Sequence, residues 1–145
     1  ESHKPIARWS NRGLVNSYGE IFHAAYEDDL PLFLGPDEFV GEMTVKYNEI
    51  NKILKKELMQ IGTISLSSRL SWEIYTNNQM QILLGKEEGN SISKKLNILI
   101  ENYQVILSEL KSRVDYVDIR YKDGFVVKKL NEKLYKINKE KKTAL

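Results

Sequence analysis

The segment VDYVDIRYKDGFVVKK (residues 114–129) reads as a β-hairpin, two apolar-alternating runs around Asp123-Gly124. Period-2 geometry puts Val117, Ile119 and Tyr121 on one face and Asp118 and Arg120 on the other. With Asp123 and Gly124 as a two-residue loop, Tyr121 faces Val126 and Asp118 faces Lys129, so apolar and charged pairs both match. No segment that must pair on its far side follows the second strand, which makes that strand an edge. Two readings stand at this point. The hairpin only completes a sheet, or its open edge accepts a strand from another chain.

Before the hairpin the chain alternates strands and helices. Residues 6–10, 14–15 and 21–22 read as short strands of a meander with turns at Asn11-Arg12-Gly13 and Ser17-Tyr18-Gly19. An acidic loop, Glu27-Asp28-Asp29, leads to residues 30–34, where Pro31 suits an edge strand or a laid-down coil. Gly35-Pro36-Asp37-Glu38 opens a helix. In it Phe39, Met43, Tyr47, Ile50 and Leu54 form an apolar stripe, with Lys46, Asn51, Lys52, Lys55 and Lys56 mostly opposite. Residues 63–72 and 73–76 are β-rich, Asn77-Asn78 is a turn, and 79–84 is a further strand. Ser91 caps a second long helix carrying Ile92, Leu96, Leu99, Tyr103, Ile106 and Leu110. The expectation is an α+β domain: a largely antiparallel mixed β-sheet with two long helices packed on it, ending in an edge hairpin. Residues 1–130 make the domain. Residues 131–145 are a Lys-rich tail, disordered or a short helix using Leu130, Leu134 and Ile137.

At 145 residues the chain forms one domain and buries about 70% of its unfolded surface. It has no cysteine, which excludes a disulfide framework, zinc–thiolate sites and cysteine nucleophiles. No apolar run can span a bilayer, and the first residues are not a signal peptide. A start already strand-like at residues 5–9 favours a targeting and anchoring region outside this chain. The net charge of +2 is uneven. From Lys128 to Leu145 seven lysines oppose two glutamates, +5, whereas the rest holds 15 basic and 18 acidic groups, −3. A nucleic-acid binder carries its positive charge on the folded body, and this body is mildly acidic.

Chemistry is sparse. The two histidines, His3 and His23, sit at the start and at a strand end. Ser65, Ser67, Ser68 and Ser71 lie in a strand pattern and not on a nucleophile elbow. Asp28-Asp29 and Asp37-Glu38 fit turn and helix-start roles. No phosphate-binding glycine pattern is present, and transition-metal ligands are lacking. Trp9 and Trp72 read as core or sheet anchors. The residues point to a non-enzymatic protein with no cofactor, metal or small-molecule substrate.

Several blocks, taken in order, resemble one family. PIARW (5–9) with LVNSYGEIF (14–22) is similar to the opening of the C-terminal periplasmic domain of the FtsQ (FtsQ/DivIB) cell-division family. LPLFLGPDE (30–38) resembles that family's junction before its first long helix. LSW (70–72), residues 78–85, and YVDIRY (116–121) followed by Gly124-Phe125 match later blocks, the last being the most specific. The likeness covers nearly all of residues 5–128.

The resemblance implies a divisome scaffold of the inner membrane and septum, with a cytoplasmic segment, one transmembrane helix and a POTRA domain preceding the domain seen here. It implies the protein partners FtsB and FtsL, with FtsB added as a strand on the final edge. Carried over by position, Arg69, Arg120, Tyr121, Asp123, Gly124, Phe125, Val126 and Val127 form the partner surface. Arg69 and Arg120 would select an acidic segment, and backbone groups of 125–128 would supply sheet hydrogen bonds. Where many relatives carry a tryptophan after the final strand, this chain has Lys128-Lys129, so that an aromatic anchor is either missing or supplied from elsewhere, such as Tyr135. The alternative is a structural module that self-associates through the same edge. A hydrolase or ligand-binding domain would require a pocket gathering His23 with a strand serine.

Overall fold

The computed structural model describes residues 4–129, 134–138 and 142–144. Their strands are β1 (Pro5–Trp9), β2 (Gly13–Asn16), β3 (Ile21–Phe22), β4 (Leu32–Leu34), β5 (Ile61–Leu66), β6 (Ser71–Thr76), β7 (Gln81–Lys86), β8 (Val114–Asp118), β9 (Gly124–Lys129), β10 (Leu134–Asn138) and β11 (Lys142–Ala144). They join in one sheet of order β11-β10-β9-β8-β7-β6-β5-β4-β1-β2-β3. The pairs β1–β4, β4–β5 and β7–β8 are parallel and the others antiparallel, so the α+β expectation holds with a mixed sheet.

The helices follow the apolar stripes with one adjustment. Helix α1 (Val40–Leu54) buries Met43, Ile50, Ile53 and Leu54. The second stripe is broken into α2 (Ser91–Glu101) and α3 (Tyr103–Leu110). The break falls at Asn102, whose side-chain amide donates to the carbonyl of Ile98 at 2.7 Å. An Asn side chain competes for backbone groups in this way, and only one long helix remains.

Register explains the core. Trp9, Phe33, Ile64, Ile74, Ile82, Val117 and Val127 are successive cross-strand partners over seven strands, each 0–1% exposed. This row belongs to one cluster with Ile50 and Leu54 of α1 and Leu96 and Leu99 of α2. Each such aliphatic side chain contributes about 1.5–3 kcal/mol by leaving water. The alternate row, Leu34, Ser65, Glu73, Leu83, Asp118 and Val126, lies on the opposite face.

Four local expectations are corrected. The segment at Leu32–Leu34 is neither an edge nor a coil: β4 is held between β1 and β5. Pro31 precedes the strand and needs no ladder donor, and its carbonyl accepts the Arg8 N–H at 2.9 Å. The run 63–72 is interrupted by a turn at 67–70, where the Leu70 N–H donates to the Ser67 carbonyl and Leu70 takes φ 64°. Lys46 is not on the solvent side of α1. Its ammonium is buried, pairs with Glu87 and lies 5.6 Å from the Trp72 ring centroid. Finally, residues 134–138 are strand and not the short helix expected around Leu134 and Ile137. Tyr-Lys-Ile at 135–137 alternates with a period of two, and β9 offers a ladder to complete. Leu130 and His3 lie outside the described residues.

Candidate functional site

The hairpin of residues 114–129 forms, but with a different turn and register. Residues 119–123 make a five-residue connection, and Asp118 pairs with Val126, not Lys129. The cause is visible at Asp118, which is 3% exposed. Its carboxylate accepts the backbone N–H of Arg120 at 3.0 Å, the Arg120 Nε–H at 2.8 Å and the Arg120 Nη2–H at 2.7 Å. This folds the chain back at residue 120 and ends β8 before a two-residue loop can form. Hydrogen bonding to Asp118 chiefly holds the Arg120 guanidinium above its usual pKa, with burial opposing it and the Asp118 charge adding to it.

Arg120 is therefore not an isolated cation on the surface. Its stem crosses Gly85, which has φ +79°; a Cβ there would sit 2.9 Å from the Arg120 Cγ. Held by Asp118 and packed across Gly85, Arg120 lines a groove of about 550 Å³. Leu34, Leu66, Trp72 and Leu83 supply its apolar lining, with Ser65, Ser67, Ser71 and Glu73 around them. Arg69 is exposed in the 67–70 turn, whose flanking serines line this groove, so Arg69 and Arg120 belong to the same end of the sheet. Neither Asp118 nor Gly85 stood among the expected site residues. The sequence signal for Asp118 was its spacing of two from an arginine at a strand end, a common side-chain-to-backbone turn pattern.

The remaining site residues divide by exposure. Tyr121 is 43% exposed and Asp123 lies exposed in the same connection. Gly124 opens β9 with φ 154°, which glycine adopts more readily than other residues. Phe125, Val126 and Val127 are buried, at 5, 3 and 0%. Their side chains belong to the sheet, and only the outward backbone of β9 can contact another strand.

That backbone edge is the main correction. β9 is not the end of the sheet. β10 pairs with it antiparallel through Gly124↔Asn138, Phe125↔Ile137, Val126↔Lys136, Val127↔Tyr135 and Lys128↔Leu134. β11 then pairs with β10. Residues 134–138 of the tail occupy the position that sequence alone left open.

The pocket required for a hydrolase is not assembled. Ser65, Ser67 and Ser71 line the groove, but His23 follows β3 at the other end of the sheet, with β2, β1 and β4 intervening before β5. Among the described residues, no group of three or more His, Cys, Asp or Glu side chains is placed to hold a metal ion, and no helix is long and apolar enough to cross a membrane.

Comparison with known proteins places this architecture. The family model for the C-terminal domain of cell division protein FtsQ/DivIB matches residues 7–120. The cell division protein FtsQ of Nitrosospira multiformis is 33% identical over 128 residues, 88% of this chain and 53% of that protein. That of Neisseria gonorrhoeae is 34% identical over 126 residues, 86% of this chain and 51% of its own length. The Escherichia coli protein is 30% identical over 130 residues, 85% of this chain and 46% of its length. The chain spans about half the length of the curated relatives it matches. Because the matched region takes in the sheet from β1 through β8 and stops at Arg120, the chain belongs to the FtsQ/DivIB family of cell division proteins through its C-terminal domain.

Proposed function

We propose that this domain is a non-enzymatic scaffold of the bacterial divisome that receives a strand of an FtsB-type partner at the C-terminal end of its sheet. FtsL is coupled through that partner. The domain works in the periplasm, at the septum, as part of a protein anchored in the inner membrane by a single span. The observation that carries this reading is the ladder on β9. Five consecutive residues, Gly124 to Lys128, hold an added antiparallel strand in regular register, which is the geometry of strand addition. Backbone hydrogen bonds give such a contact its affinity. Specificity would come from Tyr121 beside β9, from Arg120 as held by Asp118, and from the exposed Arg69 in the turn between β5 and β6.

Binding of a peptide from the periplasmic end of FtsB, followed with Tyr121→Ala and Arg69→Glu variants, tests the assignment. Both substitutions lie outside the core, and each is expected to weaken binding about tenfold, or about 1.4 kcal/mol. Unchanged affinity in both would move the partner site elsewhere.

A further inference from the structure

The strand on β9 comes from the chain itself, and it is joined to β9 only by residues 130–133. We propose that residues 134–138, backed by 142–144, are an intramolecular stand-in for the partner strand: they cap β9 in the unpartnered protein and must leave it when an extended partner segment binds. This rests on the reading of β9 as the strand-receiving edge.

Three observations support it. First, β10 runs antiparallel to β9 without interruption over five residues, so it uses the same outward backbone groups that an incoming strand needs. One row of donors and acceptors cannot serve two strands at once. Second, among the described residues β10 pairs with β9 and β11 alone, and β11 is three residues long. Removing the pair leaves β1–β9 and the helices packed on them joined by their own contacts, so displacement need not unfold the domain. Third, β9 is a poor strand to leave bare. Its Phe125, Val126 and Val127 are all buried, and an uncovered apolar edge of this kind pairs with whatever strand it meets. The tail ends the sheet instead with a strand of three residues, Lys142–Ala144, and so short an edge resists further pairing.

Competition has a defined cost in affinity. The apparent dissociation constant of a partner rises by the reciprocal of the fraction of molecules whose edge is open. A four-residue connection holds the tail near β9 at a high effective concentration, so that fraction is small. Partner capture by the intact chain is thus weaker and slower than capture by a chain with an unlatched tail.

The test uses the full chain and a Tyr135→Pro/Lys136→Pro variant. Adjacent strand residues send their N–H groups to opposite sides, so one of the two prolines removes a donor toward β9 whatever the phase. Unchanged amide spectra for residues 5–118 show that the domain is intact. A labelled peptide of residues 131–145 is then titrated into both proteins. The variant is expected to bind it at least about tenfold more tightly than the native chain. The outward amides of β9 are expected to exchange with solvent faster in the variant. Equal peptide binding by the two proteins, or equal exchange at β9, overturns the proposal. If the variant alone binds the peptide and the FtsB segment fails to displace it, the tail remains the cap of β9 and the partner assignment is the part that falls.

Discussion

At the scale of single residues, the site depends on side chains that neutralise or position one another. Arg120 offsets a carboxylate that is 3% exposed, so Arg120→Ala leaves Asp118 charged and without its main partner. Since half of the Arg120 side chain remains in water, the expected loss is about 2 kcal/mol and not the full penalty of a buried pair. Gly85→Ala is expected to cost about 1–2 kcal/mol, because the new Cβ meets the Arg120 stem and the backbone has positive φ. Combined with Arg120→Ala, the Gly85→Ala cost falls, since the steric part disappears and only the backbone part remains. Urea denaturation of the two single variants and the double variant measures this coupling. Additive losses would show that Arg120 does not lie across Gly85 in solution.

A second residue-scale prediction concerns acid. Burial pushes the Glu87 carboxyl up, but hydrogen bonds from Lys46, the Ile92 N–H and Ser91, with the Lys46 charge, outweigh it and leave the group below its ordinary value. Stability from this pairing is present above the unfolded carboxylate pKa and is lost as pH falls through the lower folded value. Glu87→Gln should therefore destabilise the domain by about 1 kcal/mol at pH 7 and by much less at pH 3. Urea midpoints at the two pH values check the difference. An equal loss at both would remove the charge from the account.

At the scale of elements, caps and loop lengths are where sequence and structure part. After α1 the Leu58 N–H donates to the Lys55 carbonyl and the Met59 N–H to the Leu54 carbonyl, the bond pair of a Schellman end. The residue at the left-handed position is Leu58, φ 58°, and it is 93% exposed. Leu58→Gly should stabilise the domain by about 0.5–1 kcal/mol and raise the melting temperature by a few degrees, because it relieves strain and gives up no packing. Strand and helix positions were legible because buried stripes repeat with the right period: Met43, Ile50 and Leu54 on α1, and Ile64, Ile74 and Ile82 across the sheet. The length of the β8–β9 connection was not legible, since Asp118 could pair across the strands or bond locally to Arg120, and only the folded geometry favours the local bond. Nor was the fate of the tail. Leu134, Tyr135 and Ile137 suit a short helix and a strand alike, and the choice is made by the neighbouring ladder. Of the candidate site, the exposed members Arg69, Arg120 and Tyr121 could be read from sequence. The role of Asp118 depends on a local bond competing with a cross-strand pair, and those of Gly85 and β10 depend on contacts with other segments of the chain.

At the scale of the whole molecule, the sheet has unlike ends. At one end β3 is a two-residue strand, a poor template for pairing. At the other, β8 and β9 are buried in the core row while their outward ladder continues into the tail. A protein built this way offers one extended edge for strand exchange. The central claim is that a partner strand joins at β9, and it is tested most directly by titrating the isotopically labelled full chain with an FtsB periplasmic peptide while following backbone amides and the cross-strand contact between Val126 and Lys136. The account predicts saturable shifts concentrated at residues 119–138 and loss of the Val126–Lys136 contact as the peptide takes its place. Saturable shifts elsewhere, with that contact intact, would contradict it.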